Sequence, residues 1–465
     1  MEQIHEPEER EVYVKLPHGY PDYVNEYIRG VVGAGFRDDL LRTTKGGFGL
    51  AESPRLWYLE YKSTLKAIED GRLRAMVCIH VDDTRYAGDE TSQEIWDALH
   101  ARLKFGQQRK ATDGWVKFCG RWEKQDPATL EMVYSMDQYV GKIPEMPKSE
   151  EEQAAKLTDG ERVRLGSILG QINWAARQGR YDLSFGVSHC QQLAGLGSRD
   201  AMEWVRKLLS RAQRSVEILV PNLQCHLEEL LVVSASDAAY AAQPNGGSQG
   251  GVAVMMASPA VLQGEGPVAI VEAQSTRLSR VVRCSMSAEL SMAAQAFEHG
   301  DFVRAAFAEL VHRSFEIGRW KWYASRWRHY LVIDAKTGYD VLNNECMTSD
   351  RKIIIDAAVL REALMEERAE NYVRWTPGKE MVGDGLTKWA DNGVLLRVMT
   401  ISGPWLTRQR RRHYGRRQRR GGGSMRPPSA RTIVGVCKIV HSHRAQPRSS
   451  RAPDGKGALP LLSLT

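Results

Sequence analysis

Four carboxylates in the second half of the chain have the chemistry of metal ligands. Asp237 ends the run ELLVVSASD, Glu289 lies near the start of SMSAELSMAAQAFE, Asp334 follows HYLVI, and Asp384 opens DGLTKW. Grouped carboxylates repel one another unless divalent cations neutralise them, and hard oxygen ligands suit Mg²⁺ or Mn²⁺. Two such ions about 3.5–4 Å apart can activate a water and stabilise the leaving oxygen of a phosphodiester. Because the chain has 57 acidic residues, this chemistry is expected only if the fold gathers these four.

The elements that must position these acids are predicted between residues 228 and 395. Short apolar or β-branched runs bounded by turn residues predict strands, and apolar residues spaced three and four apart predict helices. The predicted order is a hairpin of ELLVVSAS and VAVMMA around PNGGSQGG, a third strand GPVAIVEAQS, a long helix from SMSAEL, the strand HYLVIDA, the helix IIIDAAVLREALMEERA, the strand NYVRWTPG and a last helix GDGLTKWADNGVLL. Ser285 or Ser287 is placed to cap the long helix. This alternation predicts a mixed α/β sheet with the acids at strand ends and helix starts.

The length of 465 residues predicts more than one domain. Residues 1–150 combine predicted strands at 12–16 and 75–81 with predicted helices at 54–68 and 94–104. Residues 151–227 are predicted to form a helical connection, because apolar residues recur at helical spacing in ERVRLGSILGQINWAARQ and AMEWVRKLLSRAQRSVEIL. Residues 228–400 are the α/β region, and residues 401–465 form a basic tail.

The net charge of +7 is unevenly distributed along the chain. From position 408 to the end, 15 Lys and Arg residues stand against one acid, Asp454, so this segment carries +14 and residues 1–407 carry −7. Arginine runs followed by Gly, Ser and Pro cannot bury a core, and the tail is therefore expected to be disordered. It could bind nucleic acid, act as a nuclear address, or be only a solvated appendage.

The composition favours a globular protein of a reducing compartment. Apolar residues make up 42% of the chain and charged residues 26%, which is typical of folded soluble domains. No run approaches the 18 apolar residues of a membrane span, and the start MEQIHEPEER has no apolar segment of a secretion signal. Seven cysteines without a CxxC pair do not suggest a disulfide framework. A cytoplasmic or nuclear location with no membrane partner is predicted.

Two adjacent aspartates, Asp82 and Asp83, end an apolar run in RAMVCIHVDDTRYAGDE. Such a pair could be half of a metal site for nucleotidyl transfer. It could equally be a tight turn between two strands, which is the commoner meaning of this dipeptide taken alone.

The four acid-bearing segments resemble, in order, the ribonuclease H part of copia-type LTR retrotransposon polyproteins. VSASDAAYAAQPNGGSQGGVAVMM resembles that family's S-D-A-D-W-A opening, RCSMSAELSMAAQAFE its S-S-T-E-A-E-Y-x-A-A helix, VIDAKTGYDVL its C-D-N-x-S-A segment, and GKEMVGDGLTKW its closing A-D-x-L-T-K. The resemblance implies a ribonuclease H-like mixed sheet with flanking helices, which cuts the RNA strand of RNA–DNA hybrids with two Mg²⁺ or Mn²⁺ ions. It makes Asp237, Glu289, Asp334 and Asp384 the catalytic metal ligands.

Upstream segments resemble the reverse transcriptase of the same family. EVYVKLPHGY resembles Y-M-K-Q-P-x-G-F, GGFGLAESPRLWY resembles Y-G-L-K-Q-x-P-R-x-W-Y, IHVDDTRYAGD resembles Y-V-D-D-I-L-I-T-G, and RLGSILGQINWAARQGRYDLSFGVS resembles the connecting L-I-G-S-L-x-Y-L-A…T-R-P-D-I-x-F-A-V-S. The resemblance covers roughly residues 11–395 and implies a partial reverse-transcriptase palm and fingers before the helical connection. It makes Asp82 and Asp83 the remnant of a polymerase metal site.

The upstream part departs from this family where a polymerase needs a third carboxylate. MEQIHEPEER stands where the family has D-V-K-T-A-F-L-N-G, and its Glu6, Glu8 and Glu9 follow no apolar strand. Nucleotidyl transfer without that ligand is expected to be slower by orders of magnitude. The polymerase part is therefore predicted to be inactive as it stands, and ribonuclease H activity is the leading hypothesis. The alternative is a non-catalytic nucleic-acid-binding remnant in which the basic tail supplies the affinity.

Four further polar residues near the acids are candidate contacts to nucleic acid. Ser248, Gln249 and Ser275 could meet RNA 2′-hydroxyls, and Lys336 could meet a phosphate. Surface solvation is the alternative for the three uncharged side chains.

Overall fold

The computed structural model describes residues 13–15, 40–42, 75–80, 83–88, 90–103, 106–147, 156–312, 314–343, 351–366, 370–389, 393–400 and 436–441. The strands are β1 Tyr13–Lys15, β2 Leu40–Arg42, β3 Ala75–His80, β4 Asp83–Gly88, β5 Gln107–Lys110, β6 Val116–Phe118, β7 Arg121–Gln125, β8 Met132–Ser135, β9 Glu217–Val220, β10 Leu231–Ala239, β11 Gln249–Ala257, β12 Val268–Arg277, β13 His329–Ile333, β14 Asn371–Trp375 and β15 Val436–His441. The helices are α1 Gln93–Leu103, α2 Asp137–Val140, α3 Asp159–Arg177, α4 Ser184–Gly195, α5 Asp200–Ala212, α6 Ser285–Val311, α7 Trp320–Ala324, α8 Lys336–Asn343, α9 Arg351–Met365, α10 Asp384–Thr387 and α11 Gly393–Thr400. Within these residues, none of the helices has the length and hydropathy to cross a bilayer.

The chain divides into two compact units, residues 1–72 with 94–104, and residues 73–93 with 105–465. In the first unit β1 and β2 pair antiparallel, and α1 buries Trp96 and Leu99. The strand predicted at 12–16 and the helix predicted at 94–104 are thereby confirmed. The helix predicted at 54–68 lies outside the described residues.

The second unit begins with a hairpin of β3 and β4, in which His80 pairs with Asp83. This hairpin confirms the strand predicted at 75–81 and belongs to a four-stranded antiparallel sheet of order β3-β4-β15-β5. Strand β15 comes from the region predicted as a disordered basic tail, so the prediction of disorder is wrong for Val436–His441, which pairs with β4 and β5. The other residues of 401–465 lie beyond the part of the chain that the structure describes.

A second four-stranded antiparallel sheet, β6-β7-β8-β9, accompanies the three helices of the predicted connection. Helix α3 begins at a capping box, in which the Thr158 side chain accepts from the Glu161 N–H and the Glu161 carboxylate accepts from the Thr158 N–H. Helices α3, α4 and α5 then pack around one apolar core that includes Leu165, Ile172 and Leu208. The helical prediction for this region is confirmed over these three helices.

Helix α5 nevertheless ends at Ala212, so the prediction that this helix continues through VEIL is wrong. Arg180, which is fully buried and paired with Asp182, donates hydrogen bonds to the carbonyl oxygens of Ala212, Arg211 and Arg214. These contacts satisfy carbonyl groups that a helix end leaves without partners. The following residues Glu217–Val220 instead form β9, which pairs with β8.

The largest sheet has the order β12-β11-β10-β13-β14. Strands β10, β11 and β12 are antiparallel neighbours, whereas β13 pairs parallel with both β10 and β14. Alternate residues face two separate cores. Val232, Val252 and Leu331 pack with α6 and α9 on one face, and Val233, Ala253 and Val332 pack with α10 and α11 on the other. The predicted mixed α/β architecture of this region is confirmed.

Two local predictions in this region are wrong. Helix α6 has Cys284 at its N-cap with no side-chain hydrogen bond, so neither Ser285 nor Ser287 caps it. The predicted last helix is two short helices, α10 and α11. The backbone of Lys388 is extended, which ends α10 after four residues.

Candidate metal centre

Three of the four predicted acids lie together at one edge of the large sheet. Ser236 of β10 pairs with Ile333 of β13 in parallel register, so the next residues, Asp237 and Asp334, end up side by side. Glu289 reaches them from α6, which packs across β10 and β13. Each of these three side chains offers an oxygen within 4.8 Å of the other two. Acids from three separate elements therefore meet at one point.

The three carboxyl groups resist ionisation in this arrangement. Burial, followed by the nearby charges of Asp237 and Asp334, raises the pKa of Glu289 to about 9. Burial, Asp237 and Asp384 raise the pKa of Asp334 to about 6, and burial also raises the pKa of Asp237. Desolvation and the repulsion between like charges thus both raise the pKa values of these carboxyl groups. A bound cation would counter both effects, because it stabilises the ionised carboxylates.

An unpartnered oxygen supports the fit to a cation. The Oε2 atom of Glu289 is buried and has no hydrogen-bond partner among the described groups. A buried acceptor without a partner costs about 1–3 kcal/mol, and more if it is charged. Three hard oxygen ligands around such an atom suit Mg²⁺ or Mn²⁺, so the residues fit the ion class that the sequence predicts.

Helix α10 closes the site from the opposite face of the sheet. Gly383, just before it, allows this approach, because a Cβ there would lie 2.9 Å from the Cβ of Asp237 and 3.0 Å from its backbone nitrogen. The Thr387 hydroxyl donates a hydrogen bond to Oδ2 of Asp237. The Thr387 hydroxyl is buried at this contact, so it fixes the orientation of one carboxylate of the candidate metal centre.

Asp384, the fourth predicted acid, lies at the rim of this group. Its Oδ1 atom accepts from Nζ of Lys388 at 2.5 Å, and its side chain is 40% exposed. It is not among the three acids whose oxygens lie within 4.8 Å of one another. Its charge still acts on the site, since it contributes to the raised pKa of Asp334.

Thr387, Lys388 and Gly383 are site residues that the sequence reasoning did not single out. Burial lowers the pKa of the Lys388 ammonium, but its hydrogen bond to Asp384 and the charges of Asp237 and Asp334 raise it by more. Lys388 therefore stays charged beside the acids and offsets part of their repulsion. The segment GDGLTKW contains all three residues, so the signal was present in the motif that carries Asp384.

The predicted RNA contacts Ser248 and Gln249 are buried inside the protein. The Ser248 hydroxyl accepts from the Ala241 N–H at 3.0 Å. The Gln249 amide donates to the hydroxyls of Ser188 and Ser275, and the Ser275 hydroxyl donates to the carbonyl oxygen of Leu386 at 2.5 Å. These groups join α4 and α10 to the sheet. Ser248 is 5% exposed and Gln249 is 0% exposed, so their burial does not favour a direct contact with RNA.

Of the two other predicted sites, Lys336 and the pair Asp82–Asp83, the described residues Lys336 and Asp83 lie on other elements of the chain. Lys336 is the first residue of α8, and its exposed Nζ pairs with Asp340 one turn along the helix at 2.7 Å. Asp83 is the first residue of β4. Asp82 lies outside the described residues, so the structure does not describe the predicted polymerase pair as a unit.

No family model matches the chain, and no curated protein matches it. Among solved structures, similar chains include two ribonuclease H1 proteins and a ribonuclease H domain. LC11-RNase H1 from compost is 11% identical, with 36% of this chain and 98% of that chain covered and a TM-score of 0.25. RNase H1 from Halobacterium salinarum is 17% identical, with 35% and 96% covered and a TM-score of 0.23. The N-terminal RNase H domain of a Mycobacterium tuberculosis protein is 12% identical, with 36% and 96% covered and a TM-score of 0.22.

Proposed function

We propose that residues 228–400 form a ribonuclease H-like nuclease that cleaves the RNA strand of RNA–DNA hybrids with bound Mg²⁺ or Mn²⁺. The observation that carries this proposal is the meeting of Asp237, Glu289 and Asp334, from three elements, with oxygens within 4.8 Å of one another. Asp237 is buried and the other two acids are partly buried, and such a group of mutually repelling acids has little use without a cation.

We assign the residues of the site three roles: holding the metal, orienting a carboxylate and binding the substrate phosphate. Asp237, Glu289 and Asp334 would hold the metal, and Asp384 would complete the set at the rim. When bound, two divalent ions supply activation of a water and neutralisation of the departing 3′ oxygen. Thr387 holds the Asp237 carboxylate in place. Lys388, which is 54% exposed and charged, is placed to meet a phosphate of the substrate.

Cleavage of a hybrid tests this function. With Mg²⁺, the purified protein is expected to cut the labelled RNA strand of an RNA–DNA hybrid, and to leave a DNA duplex of the same sequence intact. Asp237→Asn should remove the activity, and Asp340→Asn, on an exposed acid of α8, should retain it. Salt-sensitive hybrid binding without any cleavage would instead support the non-catalytic remnant.

The same proposal extends to the origin of the chain. We infer a fragment of a copia-type retrotransposon polyprotein, in which residues 1–150 derive from a reverse transcriptase and Asp82 and Asp83 from its metal site. Because the segment MEQIHEPEER does not match the family's acid-bearing D-V-K-T-A-F-L-N-G, we expect no extension of a primer on an RNA template. Robust synthesis of DNA in that assay would contradict the inference of an inactive polymerase part.

A further inference from the structure

A polar cavity of about 370 Å³ lies between the connection helices and strand β12. Its walls come from α3 and α4 on one side and from the last four residues of β12 on the other, and none of the lining residues is acidic. Most of them carry amide or hydroxyl groups. The lining therefore suits a polar ligand, and its charge favours an anion.

Two arginines line this cavity and have no partner among the described residues. Arg177 is the last residue of α3, and Arg277 is the last residue of β12. Neither guanidinium makes an ion pair or hydrogen bond within the described part of the chain, whereas Arg85, Arg121 and Arg199 each pair with a glutamate. Guanidinium groups bind phosphate through parallel N–H donors. One phosphate bound between the two sides of the cavity would accept hydrogen bonds from both guanidinium groups.

Gln192 adds an acceptor that needs a donor. Its amide nitrogen donates to the Ser188 carbonyl oxygen and to Oε1 of Gln249 at 2.9 Å, which fixes the orientation of the amide. Its Oε1 atom is buried and has no hydrogen-bond partner among the described residues. Phosphate cannot donate to it at neutral pH, but a ribose 2′-hydroxyl can.

The cavity shares a sheet edge with the acids. Ser275, in its wall, pairs with Gly251 of β11, and Gly251 pairs with Asp237 of β10. Two strand spacings of about 4.8 Å therefore separate this wall from Asp237. That distance of about 10 Å corresponds to roughly three base steps along a duplex.

We propose that this cavity binds one ribonucleotide of the RNA strand, with its phosphate between Arg177 and Arg277 and its 2′-hydroxyl on Gln192, a few nucleotides from the acids. The proposal rests on the proposed function, because it takes the hybrid as the substrate. It assigns a role in substrate binding to the connection helices, which lie outside the ribonuclease H-like region.

The test measures hybrid binding in an Asp237→Asn background, where no cleavage is expected. The double variant R177Q/R277Q should bind the labelled hybrid on the order of tenfold more weakly, with a salt slope shallower by about 1. Arg164→Gln, on an exposed arginine of the same helix that does not line the cavity, is the matched control and should bind normally. Melting temperatures should be unchanged, since both arginines are exposed.

A 2′-deoxynucleotide placed at successive positions of the RNA strand locates the contact. One position, about three nucleotides from the cut, should weaken binding to the protein with both arginines but not to the double variant. Equal affinity and equal salt slope in the double variant would overturn the proposal, even if the wild-type protein cleaves hybrids. Weakened binding without wild-type cleavage would leave the cavity assignment standing and contradict only the proposed nuclease.

Discussion

Replacing Glu289 by Gln is expected to reduce hybrid cleavage at least about a thousandfold and yet to stabilise the metal-free protein at pH 8.5. The activity falls because the neutral amide is a poor ligand in a site whose electrostatics require negative charge. The stability rises because the amide removes a carboxylate that burial, Asp237 and Asp334 all oppose. A residue that destabilises the fold and is needed for activity is expected at a functional site.

The pH dependence of stability follows from the same carboxyl group. The pKa of Glu289 is about 9 in the folded protein, against an ordinary value of 4.5. Between these values the folded state holds a proton that the unfolded state has lost, so the free energy of unfolding falls as the pH rises. Asp334, with a pKa of about 6, also lowers the free energy of unfolding as the pH rises, but over a lower pH range.

Melting temperatures in the presence of a chelator measure this effect. Each pKa unit is worth about 1.4 kcal/mol, and a domain of this size shifts by about 2–4 °C per kcal/mol. We expect the wild-type protein to lose roughly 7–14 °C between pH 6 and pH 8.5, and Glu289→Gln to lose much less. Glu298→Gln, on an exposed acid of the same helix, is the matched control. Parallel pH profiles for wild type and Glu289→Gln would contradict the buried-acid account.

The convergence of Asp237 and Asp334 could be predicted from the sequence, because each follows a short apolar strand and parallel neighbours end at the same edge. Glu289 could be predicted because the long helix has an apolar face that must cover that sheet. Periodicity alone could not show that α10 stops at Thr387 and turns its hydroxyl toward Asp237, since this depends on tertiary contact. Nor could it place Asp384 at the rim, where Lys388 binds it.

Polar residues in the sheet were the least predictable part of the site. Gln249 follows a Gly-rich turn, a setting that is typical of the surface, yet it is fully buried. The reason is its hydrogen bonds to Ser188 and Ser275, which satisfy the amide inside the protein. Burial of an amide is tolerated only when its partners are present, and these partners lie 61 and 26 residues away. Local sequence carries no signal for such distant partners.

Binding of Mg²⁺ or Mn²⁺ is expected to release protons near neutral pH. Glu289 is protonated at pH 7 in the metal-free protein, because its pKa is about 9, and it must ionise to serve as a ligand. We expect about one proton per cluster, and a fall in affinity of at least about 100-fold in Asp237→Asn, which removes a ligand charge. Asp340→Asn should bind the cation as the wild type does.

Calorimetric titration of Mn²⁺ into the metal-free protein at pH 7, in two buffers with different ionisation enthalpies, tests most directly whether the three carboxylates hold a divalent cation. We expect saturable binding, a buffer-dependent heat that corresponds to about one released proton, and the loss of both in Asp237→Asn. Binding that is absent in the wild type, or unchanged in Asp237→Asn and free of proton release, would contradict this expectation.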